Sequence, residues 1–332
     1  MSLLAIPRAA RSIPGQPDPA PGRGSPRADG PRPVHLPVLL AEVLAGVEQA
    51  FGPDASGLFV DGTVGAGGHA AALLERFPRL ELLGFDWDPD SLALAAQRLA
   101  PFGARASLRR ARLSELEAHL ADLDRAPRLL LVDLGVCSLH FDRPERGFSV
   151  LADGPLDMRM DPRQETTAAE LVARLSEEQL AELIWREGGE PRSRRVAHAI
   201  VEARRRVPFL RTGALAQLIE RTLGPGGKIH PATRTFQALR RAVNREDLEL
   251  EALLACAERR LAPGGLLATI SFHSLEDGAI KRFLRQASQR GSFEPLIKEP
   301  LAPGRIEVLQ NPRSRTARLR LWRRLPLPEA QP

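Results

Sequence analysis

Long apolar runs are missing from this sequence: none approaches the roughly 20 residues that a membrane-spanning helix needs. Hydrophobic residues make up 43% of the 332 positions and charged residues 27%, which is typical of soluble globular proteins. We therefore expect a soluble chain with no membrane partner, long enough for one large domain or two smaller ones.

Cysteine is also scarce, since only Cys137 and Cys256 occur and they lie far apart in sequence. The usual cysteine-based zinc patterns need four ligands, and a disulfide framework needs a denser set of cysteines. The sequence therefore predicts a cytoplasmic location under reducing conditions and no bound metal.

Lysine is nearly absent, so almost all of the 47 basic residues are arginine, against 41 acidic residues. GC-rich codons explain this composition as well as a phosphate-binding surface does. The location of the charge is more informative. Seven arginines and one acid lie between Arg192 and Arg211, and twelve basic and three acidic residues lie between Lys281 and Arg324. Either stretch is an RNA-binding surface or a solvated face.

Residues 1–33 are rich in proline, glycine and arginine and show almost no apolar periodicity. This composition predicts a disordered tail. The tail has few acids, as organelle-targeting peptides do, but it shows no clear amphipathic helix.

Strand and helix patterns alternate after the tail, which predicts an α/β fold with a doubly wound parallel sheet. A helix with Ser114 as its N-cap is expected up to Leu123, because serine is a favoured cap. The predicted strands are Leu58–Asp61, Leu80–Phe85, Ala106–Arg110, Leu129–Asp133 and Leu266–Ser271, with a last one over Ala317–Trp322.

The alternation is interrupted from about Ser138 to Val243, where only helical patterns occur. It resumes with a helix that starts at Glu246. The simplest architecture is a sheet domain formed by residues 34–138 and 244–325, with an inserted all-helical domain formed by residues 139–243.

A cofactor site is indicated where the first strand ends at Asp61 and continues into the glycine-rich segment Gly62–His69. Glycines let a ligand approach the backbone closely, and Asp86 at the end of the next strand can accept both hydroxyls of a ribose. The segment lacks the G-x-G-x-x-G spacing of a pyrophosphate site and the lysine of a P-loop. Together with the acidic Asp61, this favours S-adenosylmethionine over a dinucleotide.

Six motifs in order resemble the RsmH (MraW) family, from about His35 to Trp322. The resemblance implies a Rossmann-like, S-adenosylmethionine-dependent methyltransferase sheet with a helical insertion. It also implies methylation of the exocyclic N4 of a cytidine in the decoding centre of 16S rRNA, within the small ribosomal subunit. The motifs are DGTVGAGGH from Asp61, LVDLGV from Leu131, ERGFS from Glu145, DGPLDMRM from Asp153, HPATRTFQ from His230 and SFHSLED from Ser271.

The resemblance also implies which residues hold the cofactor. The chain departs from the family at two places, Leu113 and the loop that ends at His140. In that loop the family usually reads Gly-Val-Ser-Ser-Pro-Gln where this chain has Gly-Val-Cys-Ser-Leu-His. Leu113, on the adenine pocket, can pack on a base but cannot stack as an aromatic ring would. The implied cofactor residues are Gly67, Gly68, His69, Asp86, Leu113, Asp133 and His140.

An exocyclic cytosine amine is a poor nucleophile, so an acceptor for one of its hydrogens would help. Asp133 and Ser138 are candidates, although Asp133 has an equal claim to be a cofactor ligand only. His273, at the end of a strand, would contact the target base or belong to a structural turn in which Ser274 and Asp277 cap the next helix.

Three rival functions are weaker. A cytosine C5 methyltransferase would use a thiolate such as Cys137, but the family position is normally serine. A DNA amino-methyltransferase usually carries an Asp/Asn/Ser-Pro-Pro-aromatic loop, which is missing here. A non-catalytic RNA-binding protein would have no need of the intact Gly67, Gly68, Asp86 and Asp133.

Overall fold

The computed structural model describes residues 37–135, 138–225, 227 and 229–326. Within them, seven strands form one sheet in the order β3-β2-β1-β4-β5-β7-β6, parallel except that β7 is antiparallel to both of its neighbours. The strands are β1 (Ser56–Asp61), β2 (Arg79–Asp86), β3 (Ala106–Arg110), β4 (Leu129–Asp133), β5 (Leu266–Ser271), β6 (Phe293–Pro295) and β7 (Arg318–Arg324).

The central strands are buried on both faces, as their apolar runs predict. In β4, Leu129 and Leu131 belong to the hydrophobic core on one face of the sheet. Leu130 and Val132 belong to the core on the other face. Successive side chains of a strand point to opposite faces, so a strand that is covered on both sides must be apolar at every position.

Helices cover both faces. On one face lie α1 (Leu40–Phe51), α2 (Gly68–Arg76) and α3 (Pro89–Leu99). On the other lie α4 (Leu116–Ala121), α11 (Glu246–Arg260) and α12 (Ser274–Gln289). The short helix α13 (Arg305–Gln310) precedes β7. No helix in the described ranges is long and apolar enough to cross a membrane.

The segment between β4 and α11 is helical and has a hydrophobic core of its own. Asn244, near the end of this segment, is bonded to an earlier part of it, since its side chain donates to Met158 O and accepts from Met160 N–H, both at 2.8 Å. The predicted fold class, a sheet with inserted helices, is confirmed, whereas the domain boundaries stay a prediction. The inserted helices are α5 (Ser138–Asp142), α6 (Ala168–Arg174), α7 (Glu177–Gly188), α8 (Ser193–Arg204), α9 (Thr212–Leu223) and α10 (Thr233–Asn244).

One predicted cap is wrong. Ser114 lies inside a short 3₁₀ turn, Leu113–Glu115, and α4 begins only at Leu116 with no side-chain cap. The Ser114 hydroxyl and N–H both donate instead to the Glu249 carboxylate of α11, at 3.1 and 2.8 Å. A partner 135 residues away leaves no local sign in the sequence.

Candidate active site

The strand order reverses between β1 and β4, and in such sheets ligands bind beyond the carboxyl ends of the strands at that point. Asp61, Asp86 and Asp133 are the last residues of β1, β2 and β4. The hydroxyl of Thr63 accepts a 2.7 Å hydrogen bond from Asp133 N–H, and this bond ties the loop after β1 to β4. The three predicted acids therefore end neighbouring strands at one edge.

The loop after β1 is shaped by glycine. Gly65 has φ +53° and Gly67 φ +78°, a left-handed conformation that other residues rarely adopt. Gly65 N–H donates to Asp86 Oδ2 and Asp88 N–H donates to Asp86 Oδ1, both at 2.9 Å. Asp86 therefore organises two loops in addition to facing the cavity.

The three carboxyl groups resist ionisation. Burial raises the pKa of Asp61 to about 7, although the Thr63 N–H opposes the shift. Burial likewise raises the pKa of Asp86 to about 6, against the hydrogen bonds from Asp88 and Gly65. Burial, followed by the charges of Asp61 and Glu276, holds the pKa of Asp133 well above its ordinary value. A cation in this place would relieve the repulsion.

His69 places an unprotonated ring nitrogen near Asp133. Its Nε2 lies 2.9 Å from the carbonyl oxygen of Val38, which can only accept, so Nε2 carries the hydrogen. Burial lowers the pKa of His69 to about 4, which keeps the ring neutral and leaves Nδ1 without a proton. Nδ1 lies 3.7 Å from Asp133 Oδ2. In addition, Asp133 Oδ1 is buried without a hydrogen-bond partner among the described residues.

His140 is buried at 3% exposure and is fixed by two contacts. Its Nε2 lies 2.9 Å from Asp88 Oδ2, and its ring stacks on Phe148 with centroids 4.9 Å apart. Burial opposes ionisation of Asp88, but the hydrogen bond and charge of His140, with the charge of Arg146, lower its pKa below the ordinary range. His140 Nδ1 has no partner among the described residues.

A cavity of 680 Å³, which is within the usual size range of ligand sites, lies at this edge of the sheet, and Asp61 and Asp88 are not part of its lining. Gly67 is not part of its lining but forms the N-cap of α2 directly before Gly68. Cys137 and the side chain of Ser138 lie outside the described residues. The predicted residues that line the cavity are Gly68, His69, Asp86, Leu113, Asp133, His140 and His273.

The prediction that Ser274 and Asp277 cap α12 is wrong. His273 is the N-cap, and its Nδ1 accepts from Glu276 N–H at 3.3 Å. The Glu276 carboxylate accepts from Phe272 N–H at 2.9 Å and lies 3.0 Å from His273 Nε2. Asp277 instead binds Arg320 of β7 through two hydrogen bonds. His273 thus belongs to a structural turn, and its contact with the target base stays a prediction.

Glu246, His273 and Glu276 could hold a metal ion, because their ligand atoms lie within 4.8 Å of one another. The contacts of this group oppose a cation. Arg240 donates to both oxygens of Glu246 at 2.7 Å, so a metal would have to displace a guanidinium. The absence of a metal stays a prediction.

Two further residues belong to the site: Asp88, which binds the cavity residue His140, and Arg98, which lines the cavity itself. Asp88 follows Asp86 by two residues and precedes Pro89, and an acid just before a helical proline is a detectable capping signal. Arg98 lies near the end of α3 and lines the cavity beside Gly68. Nothing in the sequence distinguishes Arg98 from a solvated helical arginine.

The sequence of this chain is similar to those of known proteins. Residues 32–325 match the MraW methylase family. A relative from Sorangium cellulosum, named ribosomal RNA small subunit methyltransferase H, is 49% identical over 89% of this chain and 93% of its own length. A relative of the same name from Prochlorococcus marinus is 48% identical over 81% and 86%. Among solved structures, an rRNA methylase from Streptococcus thermophilus aligns with 88% of this chain and 100% of its own at 14% identity. Its TM-score is 0.40. The two curated relatives and the match over residues 32–325 show that the chain belongs to the MraW methylase family.

Proposed function

We propose that this protein is an S-adenosylmethionine-dependent methyltransferase that modifies small-subunit ribosomal RNA, at N4 of a cytidine in the decoding centre of 16S rRNA. One observation carries the proposal: three carboxyl groups with raised pKa values and a glycine-rich loop meet at the switch point of the sheet. The names of the relatives support the rRNA substrate.

The residues of the cavity fit the cofactor. Asp133 Oδ1 is a buried acceptor without a described partner, and the unprotonated His69 Nδ1 lies beside Asp133. Such a set lacks donors, which a ligand with an ammonium, a sulfonium and ribose hydroxyls would supply. Asp86 would then hold the ribose, Leu113 would pack on the adenine, and the segment from Gly67 to His69 would hold the methionyl part.

The bound cofactor supplies an electrophilic methyl group, and this chain's residues position the base and receive a proton. A cytosine amine that gains a methyl group must lose a hydrogen from N4. Asp133 is a quarter exposed at the cavity and has a raised pKa, as a proton acceptor requires. A proton on Asp133 Oδ2 would lie toward the lone pair of His69 Nδ1. Ser138 and His273 remain further candidates for contacts with the base.

The RNA must present an unstacked base, because a base in a duplex cannot reach a cavity of this kind. We assign recognition of the RNA to the inserted domain, residues 139–243. Arg194, Arg195 and Arg206 are exposed there and can bind phosphates. A function on ribosomal RNA implies a cytoplasmic location.

The test is methyl transfer from labelled cofactor to small ribosomal subunits that lack the modification, followed by nucleoside analysis. We expect labelled N4-methylcytidine, and no label with Asp133→Ala. Label at cytosine C5 would instead support the thiolate mechanism, and Cys137→Ser would then abolish turnover. Under our proposal Cys137→Ser stays active, because an amine attacks directly. Cofactor binding without transfer to any ribosomal RNA would refute the proposed substrate.

A further inference from the structure

The cavity contains one cation with no described partner. Four arginines line it: Arg98, Arg240, Arg241 and Arg313. Arg240 is held by Glu246, Arg241 by Glu187 and Asp247, and Arg313 by Asp142. Among the described residues, Arg98 alone of the four makes no hydrogen bond or ion pair.

Arg98 lies beside the loop that we assign to the methionyl part of the cofactor. A methyl group added at Gly68 would lie 3.2 Å from Arg98 Nη1. Ala95 and Leu99 of the same helix pack against Gly67, so α3 is fixed next to this loop. The packing of α3 therefore fixes the backbone of Arg98 next to this loop, and its guanidinium lies near the start of α2.

The start of α2 is also suited to an anion. No side chain caps the helix. Its first helical hydrogen bond runs from Ala71 N–H to Gly67 O, so the N–H groups of Gly68 to Ala70 precede the helical ladder. Free N–H groups at a helix start carry partial positive charge.

The charges of the cofactor complete the argument, which rests on the proposed function. S-adenosylmethionine carries two positive groups and one carboxylate. The acids Asp61, Asp86 and Asp133 suit the positive groups and would repel the carboxylate. We infer that Arg98 is a cofactor-binding residue that pairs with the α-carboxylate of S-adenosylmethionine.

The test compares S-adenosylmethionine with its decarboxylated analogue by calorimetry, on the full chain. Wild type should bind the analogue about tenfold or more weakly, as expected for loss of a charged hydrogen bond. Arg98→Ala should bind S-adenosylmethionine about tenfold more weakly but the analogue as wild type does. Arg98→Lys should fall between the two. Gln97→Ala, an exposed neighbour on α3, is the matched control and should resemble wild type.

Two results would overturn the inference: equal loss of affinity for both ligands in Arg98→Ala, or no loss for either. Thermal unfolding monitored by circular dichroism identifies a variant that fails to fold, and Arg98→Lys then decides the question by the same comparison. Folded wild type that binds neither ligand would refute the proposed cofactor itself, and this inference with it.

Discussion

Asp161 of the inserted segment accepts a 2.8 Å hydrogen bond from Arg110, the last residue of β3. Asp161 is fully buried and also binds Arg163. Its burial and its link to the sheet show that it orders the insertion.

Asp161→Ala should destabilise the protein by about 1–3 kcal/mol, because charged hydrogen bonds are lost. This loss of stability is smaller than the loss expected on breaking a fully buried ion pair, since Arg110 is 32% exposed and can be hydrated. Urea unfolding measures the change. Glu48→Ala removes an ion pair in which both side chains are 44% exposed, and it should change stability by less than about 0.5 kcal/mol. Equal effects of the two substitutions would contradict the structural role of Asp161.

Asp86→Ala should weaken binding of S-adenosylmethionine about tenfold or more, because a charged acceptor for the ribose is lost. Calorimetry gives the affinity. Asp54→Ala, on the exposed turn before β1, is the control and should bind normally. Since Asp86 also accepts the N–H groups of Gly65 and Asp88, circular dichroism must show that the variant is folded. Unchanged affinity in a folded variant would remove Asp86 from the site.

Cofactor affinity should rise between about pH 5 and pH 7. The pKa values of Asp86 and Asp61 are raised to about 6 and 7, and a bound cation favours their ionised forms, so binding releases protons. Calorimetry in two buffers of different ionisation enthalpy measures this release. Binding that is independent of pH across this range would contradict the expected attraction between these carboxylates and the positively charged cofactor.

The same two acids predict that the stability of the free protein falls as the pH rises. Their folded pKa values lie above those of the unfolded chain, so the stabilisation is complete below about pH 4 and is lost as the pH rises through 6 and 7. The contribution of Asp61 can be isolated by comparing wild type with Asp61→Asn in urea unfolding. We expect a weaker fall in stability with pH for the variant. An identical pH dependence of the two proteins would be evidence against the raised pKa of Asp61.

Reversing Arg194, Arg195 and Arg206 to Glu should weaken binding to ribosomal RNA and flatten its salt dependence, because each phosphate contact releases counterions.

The neighbouring arginines are less suitable for this test. Arg204 donates to Val172 O, so its loss would disturb packing, and Arg205 is paired with Glu202. Arg79→Glu, exposed at the start of β2, is the control. Cofactor affinity should not change in either variant. An unaltered salt slope in the triple variant would show that these arginines form only a solvated face.

Much of the fold is readable from local patterns. The bounds of β3, β4 and β5 agree with the sequence predictions residue for residue. The short apolar runs of β4 and β5 are strong local signals, since burial on both faces of the sheet demands an apolar residue at every position. The short elements β6 and α13 carry no such signal and are not predicted. Ser114 and Ser274 are predicted as caps because serine favours that position. In the structure Ser114 binds the distant Glu249 instead, and the N-cap of α12 is the adjacent His273.

The sequence by itself determined the β-α alternation, the glycine-rich loop and the acids at the ends of the strands, because hydrophobic periodicity and backbone freedom are local properties. Tertiary structure alone decided how these acids ionise, since the pKa of Asp133 depends on burial and on Asp61 and Glu276 from other strands and helices. It also decided the partners of His140 and Asp161. Likewise, it alone set Arg98 apart from the other arginines of the cavity, because whether an arginine has an acidic partner depends on which side chains the fold brings near it.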